Sequence, residues 1–113
     1  MKYVTAVIQP HMLSNVVRAL HALPHFPGFT ITDARGQGRG RGTGGAFKVT
    51  EDSIDYHRKI MLHIVCSNDL QPAIANAIQR AGHTGAAGDG LIVATEVSEV
   101  IRIRTGEKQE NAL

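Results

Sequence analysis

The chain has 113 residues, of which 42% are hydrophobic and 19% charged, with 12 glycines, 4 prolines and a single cysteine. At 12.2 kDa surface scaling gives about 6,000 Å² exposed when folded against roughly 18,000 Å² unfolded, enough for one core and one domain, 1–113, without covalent staples. One cysteine excludes an internal disulfide and a cysteine-based zinc site, which fits a reducing, cytoplasmic setting. Twelve basic against ten acidic residues leave a net charge of +2, too small an excess to require nucleic acid, and the absence of tryptophan leaves few stacking platforms. No 18-residue apolar run and no signal peptide are present, so no membrane insertion is expected.

In chain order, Val4, Ala6 and Ile8 alternate with Tyr3, Thr5 and Val7 in a run rich in β-branched residues, which predicts a strand closed by Pro10. Leu13, Val16, Val17, Leu20 and Leu23 then recur at helical spacing, with Ser14 or Asn15 as caps and Pro24 at the end. A second strand is expected over Phe29–Ala34. From Gly36 to Gly45 six of ten residues are glycine, and no period is sustained to about Asp55. Such a long loop in so small a domain is a place where function concentrates. Ile60–Cys66 is nearly continuous apolar sequence, which predicts a central strand covered on both faces. Ser67 or Asn68 caps a helix with Pro72 in its first turn and Leu70, Ile74, Ala77, Ile78 and Ala81 on its buried face, ended by Gly82. After a glycine-rich loop, Leu91–Thr95 reads as a strand and Val100–Arg104 as a further short one, before a polar tail from about 106 to 113. The order is βαββαβ: an α+β, ferredoxin-like sandwich with an antiparallel sheet and two helices on one face.

Three segments carry candidate chemistry. Arg102 and Arg104, two apart in an expected strand, would share one face with Cα atoms roughly 6.6 Å apart, and their forked, permanently charged donors suit phosphate oxyanions. An edge strand protected by charge is the alternative reading. Thr84-Gly85-Ala86-Ala87-Gly88-Asp89-Gly90 offers backbone N–H groups with little side-chain obstruction, as phosphate cradles do, but a plain helix-to-strand connection uses the same residues. Gly40-Arg41-Gly42-Thr43-Gly44-Gly45 contains G-x-G-x-x-G, yet no helix signal follows it, so it is not a dinucleotide fingerprint. A solvated loop, a partner-docking loop and an RGG-like RNA contact remain open for that stretch, with nucleic acid not expected from so weakly basic a chain. Of the six histidines, His57 and His63 are the candidates for a metal, but neither lies in a compact ligand motif. His63, interrupting an apolar strand, reads as a hydrogen-bonded packing or site-wall residue. No Ser-His-Asp or paired-carboxylate constellation is visible, so no enzyme and no catalytic cofactor are expected.

Taken together, Thr84–Gly90 followed by Ile101-Arg102-Ile103-Arg104-Thr105-Gly106-Glu107, with Gln9-Pro10, Gly36-Gln37-Gly38-Arg39 and Lys59 in support, resembles the PII signal-protein superfamily from Met1 to about Glu110. That resemblance implies a homotrimer with adenine nucleotides (ADP, AMP or ATP) as regulatory ligands in clefts between subunits. It also implies a long T-loop, about 37–56, that reaches a target protein. It places Gly88, Asp89 and Gly90 around the phosphates, Arg102 and Arg104 against their charge, Gly38 and Arg39 beside them, and Thr30, His63 and Val65 near the base. Arg39, Arg41, Phe47 and Lys48 would belong to the partner-binding loop. The chain also departs from the family. Its magnesium- and 2-oxoglutarate-holding glutamine aligns with Gly40, its phosphate-binding lysine with Leu91, the modified T-loop tyrosine with Asp52, and a glutamate with His63. The resemblance therefore implies a divergent PII-like member that prefers ADP or AMP, or takes ATP without magnesium dependence, and is not uridylylated there. PII-like proteins tied to bicarbonate or metals give the alternative context.

Overall fold

A computed structural model describes residues 1–38, 49, 50, 53, 54 and 56–113. Strand β1 (Lys2–Ile8) leads through a 3-10 turn (Pro10–Met12) into helix α1 (Leu13–His21). Proline is suited to that first turn because it has no N–H to leave unpaired. The helix starts two or three residues earlier in the chain than Ser14 or Asn15 would set it. Met12 is its N-cap, without a side-chain hydrogen bond, and the Met12 N–H is already taken by the Gln9 carbonyl at 3.0 Å. Strand β2 (Thr30–Gly36) follows, then two-residue strands β3 (Val49–Thr50) and β4 (Ser53–Ile54), which pair with each other in a stretch whose sequence shows no period. Strand β5 (His57–Cys66), helix α2 (Gln71–Gly82) and strand β6 (Leu91–Glu96) complete the main elements. At the start of α2 the Ser67 hydroxyl accepts the Leu70 N–H at 3.3 Å, while Leu70 itself is the N-cap.

The sheet order is β2-β5-β1-β6, antiparallel throughout. This is the ferredoxin-like α+β arrangement that the order of elements predicts. Residues two apart in a strand share a face, and the pattern is strict here: Val4, Ala6 and Ile8 of β1 and Ile60, Leu62, Ile64 and Cys66 of β5 are buried. They pack with Val16 and Leu20 of α1 and Ile74 and Ile78 of α2, so the helices cover one face. Gly82 lies where a Cβ would be 3.6 Å from Val16 Cγ2, in ordinary contact.

Two expectations are corrected. Strand β5 is not covered on both faces: Met61, His63 and Val65 are only half-buried, because the helices lie on one side alone. Val100–Arg104 is not a strand. Ile101 makes one bridge with Lys108, and the chain then turns, with Gly106 N–H donating to the Arg102 carbonyl and Arg102 N–H to the Glu107 carbonyl, each at 2.8 Å. Gly106, at φ +75°, supplies the left-handed residue that closes this hairpin. The turn chemistry of Thr105-Gly106 prevails over the Ile-Arg alternation, whose isoleucines have no core to face: Ile101 is 47% and Ile103 fully exposed. The polar end is also ordered, forming a 3-10 turn over Gln109–Ala112 with Ala112 buried. No helix among the described residues is long and apolar enough to cross a membrane.

Candidate functional site

The loop between α2 and β6 is organised by one carboxylate. Asp89 accepts the Thr84 N–H at 2.8 Å and the Gly85 N–H at 2.9 Å, together with the Thr84 hydroxyl and the Gln9 side-chain amide, the last at 2.8 Å. The Thr84 hydroxyl first, then the Thr84 and Gly85 amides and Gln9, stabilise the charged form and pull the Asp89 carboxyl down to about 2. His83 Nδ1 stands 3.7 Å from the same carboxylate. Asp89 thus shapes the loop from within. Gly90 continues it in a left-handed conformation, φ +98°, with its Cα against β1: a Cβ there would lie 1.7 Å from the Val7 carbonyl oxygen. Only glycine fits that approach.

Two side chains from the sheet reach this loop. Lys59 Nζ donates to the Gly88 carbonyl at 2.6 Å, and a Cβ on Gly88 would meet Lys59 Nζ at 3.2 Å and Gln9 Nε2 at 3.9 Å. Lys59 lies three residues into β5, two beyond His57, and Gln9 directly follows β1. The glycine loop, the end of β1 and the start of β5 therefore meet at one end of the sheet. A cavity of about 280 Å³ lies behind the loop, between Asp89 and Gly90 on one side and Ile78, Gly82 and His83 of the α2 end on the other.

Thr30, His63 and Val65 lie on the sheet face that the helices leave open. Thr30 is paired with His63 across β2 and β5, and Val65 with Tyr3 across β5 and β1. Both ring nitrogens of His63 are engaged: Nδ1 is 2.5 Å from the Tyr3 hydroxyl and Nε2 2.9 Å from the Thr32 hydroxyl. The ring is a hydrogen-bonded wall of that face, as its place in an apolar strand predicts. His57 lies at the start of β5 with a buried, unpaired Nε2, and among the described residues no group of three His, Cys, Asp or Glu side chains could hold a metal ion.

Arg102 and Arg104 do not share a strand face, since the hairpin replaces the extended geometry. Arg102 Nε donates to the Ala112 carbonyl at 2.9 Å, pinning the end of the chain, and Arg104 is exposed. The glycine loop enters β6 at Leu91 and the arginine hairpin follows its other end at Glu96. A six-residue strand spans about 20 Å, so these groups set out from opposite ends of it. Gly38 is exposed just after β2. Arg39, Gly40, Arg41, Phe47, Lys48 and Asp52 lie outside the described residues. The roles of Gln9 and Thr84 as partners of Asp89 carry no signal in their spacing.

This geometry can be set beside known proteins. The family model described as nitrogen regulatory protein P-II matches residues 1–107. The chain belongs to the PII family. A nitrogen regulatory protein P-II of Azospirillum brasilense is 41% identical over 113 residues, and the nitrogen regulatory protein GlnK of Escherichia coli K12 is 35% identical over 113, in both cases with the whole of each chain covered. Among solved structures, Arabidopsis thaliana PII bound to citrate matches with a TM-score of 0.80 and 31% identity, covering 99% of this chain and 91% of that one. As a PII protein the chain is a non-enzymatic signal regulator, of a family that acts on target proteins.

Proposed function

We propose that this PII protein binds adenine nucleotides in clefts between the copies of a cytoplasmic homotrimer and uses nucleotide state to set how its T-loop engages a target protein. The observation that carries this reading is the glycine loop, folded around Asp89, whose Gly88 carbonyl receives the Lys59 ammonium. Backbone N–H groups and a cation together favour a phosphate. The separation of this loop from the arginine hairpin along β6 supports a site completed by a second copy. So does the open sheet face, where Leu91 is 60% and Val93 44% exposed. In this reading Gly38, Arg39, Gly88, Asp89, Gly90, Arg102 and Arg104 hold phosphates, while Thr30, His63 and Val65 hold the base. Arg41, Phe47 and Lys48 belong with Arg39 to the target-binding loop.

The residues that depart from the family pattern set the preference. Leu91 supplies no cation for a terminal phosphate, and Gly40 supplies no ligand for magnesium or 2-oxoglutarate, so ADP or AMP is favoured, or ATP without magnesium dependence. The test is thermal stability with ATP, ADP and AMP, each with and without magnesium and 2-oxoglutarate, alongside sedimentation to read the oligomer. A ligand at a hundred times its Kd stabilises by about 2.7 kcal/mol per site. A shift with ADP or AMP that ignores 2-oxoglutarate is expected; no shift with any nucleotide would overturn the reading.

A further inference from the structure

Both ring nitrogens of His63 are taken by side chains of the neighbouring strands, Nδ1 by the Tyr3 hydroxyl of β1 at 2.5 Å and Nε2 by the Thr32 hydroxyl of β2 at 2.9 Å. A neutral imidazole has one N–H and one bare nitrogen, and a hydroxyl can donate or accept. Exchanging the two tautomers therefore keeps both bonds and only reverses the direction in which each hydroxyl is used. With Nε2 bare, Thr32 donates to the ring and its oxygen is left to accept. With Nε2 protonated, Thr32 accepts from the ring and its hydrogen is left to donate. The ring has no polar atom of its own to offer a ligand, and the hydroxyl beside it serves in either sense.

The rest of that neighbourhood has the same character. The ring is in register with Thr5 of β1 and Thr30 of β2, and along β5 it is flanked on the same face by Met61 and Val65. The main chain of β5 is paired on both sides from Ile60 to His63, so side chains are what this stretch presents. Lys59, four residues along, is directed to the Gly88 carbonyl, and Asp33 and Arg58 alternate onto the other face and pair with each other at 3.7 Å. Among the described residues, the side chains next to the ring on this face are thus hydroxyls and apolar groups, with no carboxylate as a fixed acceptor and no ammonium as a fixed donor.

Purines differ in the property that such a surface does not read. Adenine carries an amino donor where guanine carries an oxygen acceptor. A site that meets such a group with a fixed partner rejects the mismatched analogue by about 10⁴-fold or more, because a buried polar group is left unpaired; a surface that pairs with either does not. We propose that the base subsite accepts 6-amino and 6-oxo purine nucleotides alike, so that the ligand class of this chain extends beyond adenine to hypoxanthine and guanine nucleotides. This rests on the nucleotide site proposed above, with Thr30, His63 and Val65 beside the base.

The experiment is calorimetric titration of the wild type, His63→Glu and Thr30→Asp with ADP and with inosine diphosphate, which has the same ribose and phosphates and an oxygen in place of the amino group. The two wild-type affinities are expected to agree within about tenfold; a larger preference in either direction would overturn the inference. Each variant sets an acceptor-only carboxylate beside the base and should raise the ratio of ADP to inosine diphosphate affinity about tenfold over that of the wild type. Repulsion between the new carboxylate and the phosphates is common to both ligands and cancels in the ratio. The variants lie on different strands, so loss of the fold in one leaves the other to decide. A ratio unchanged by the carboxylate would put the base elsewhere and overturn the inference, leaving the phosphate site standing. Failure of the wild type to bind either ligand would overturn the nucleotide site, and the inference with it.

Discussion

Gly90→Ala probes the contact that fixes the glycine loop against β1. Its backbone is left-handed, φ +98°, and the added Cβ would lie 1.7 Å from the Val7 oxygen and 2.7 Å from the Val7 carbonyl carbon. The first feature costs about 1–2 kcal/mol. The second cannot be relieved by rotating a side chain, since the obstacle is the backbone of a central strand. Moving the loop or the strand adds about 1–3 kcal/mol, as overpacking does elsewhere. The sum, about 2–5 kcal/mol, is a large share of the roughly 5–15 kcal/mol that holds a domain folded. At about 4–8 °C per kcal/mol it lowers Tm by roughly 8–40 °C. Gly85→Ala is the control: its φ is +89°, but nothing lies within 4 Å of the added atom, so only the conformational cost of about 1–2 kcal/mol remains. Melts followed by circular dichroism at one protein concentration compare the two. Equal melting temperatures, to within about 3 °C, would refute the argument that Val7 dictates glycine at position 90.

The remaining predictions concern the loop carboxylate and the arginines. Asp89→Asn exchanges an acceptor oxygen for an amide nitrogen, so the Thr84 and Gly85 N–H groups should exchange with solvent about tenfold faster; unchanged protection would show that the loop does not depend on the carboxylate. Because the folded carboxyl titrates at about 2 against about 3.9 unfolded, its stabilisation is complete above about pH 4 and is lost as pH falls through about 2. Protection factors of these two amides should follow that course in the wild type and stay flat in Asp89→Asn. Without nucleotide, Arg102→Ala removes the bond to the Ala112 carbonyl and should cost about 1 kcal/mol in a urea titration, whereas Arg104→Ala should change stability by less than about 0.5 kcal/mol. Both should weaken ADP binding, and unaltered affinity in both would remove the arginines from the site.

The strands and helices were legible where periodicity and burial coincide. The alternation in Val4, Ala6 and Ile8 and the helical spacing of Val16 and Leu20 each bury the residues they single out. Periodicity failed where it had nothing to pack against. Val100–Arg104 alternates as well as β1 does, but a strand needs a partner and a covered face, and this segment has one bridge and exposed isoleucines. The apolar run Ile60–Cys66 hides the same ambiguity: its composition does not say whether Met61, His63 and Val65 face a helix or an open surface. Gly88, Asp89 and Gly90 stood out because glycine and aspartate are local signals. Gln9 lies 80 residues from the carboxylate it binds, and only the register of β1 against β6 brings them together.

That register, together with the pairing of β1 and β5, also explains why the glycine loop is tied to the start of β5. Gly90 lies against Val7, Gln9 holds Asp89, and Lys59, the third residue of β5, holds the Gly88 carbonyl. A phosphate drawn to the loop N–H groups also attracts the Lys59 ammonium, because a charged acceptor makes a stronger bond than a carbonyl. Any such exchange releases Gly88 and redirects a side chain of β5 at the same moment. In the nucleotide-binding reading proposed above, a change at the glycine loop and a change at the start of β5 would then be two ends of one hydrogen bond, the one from Lys59 to Gly88.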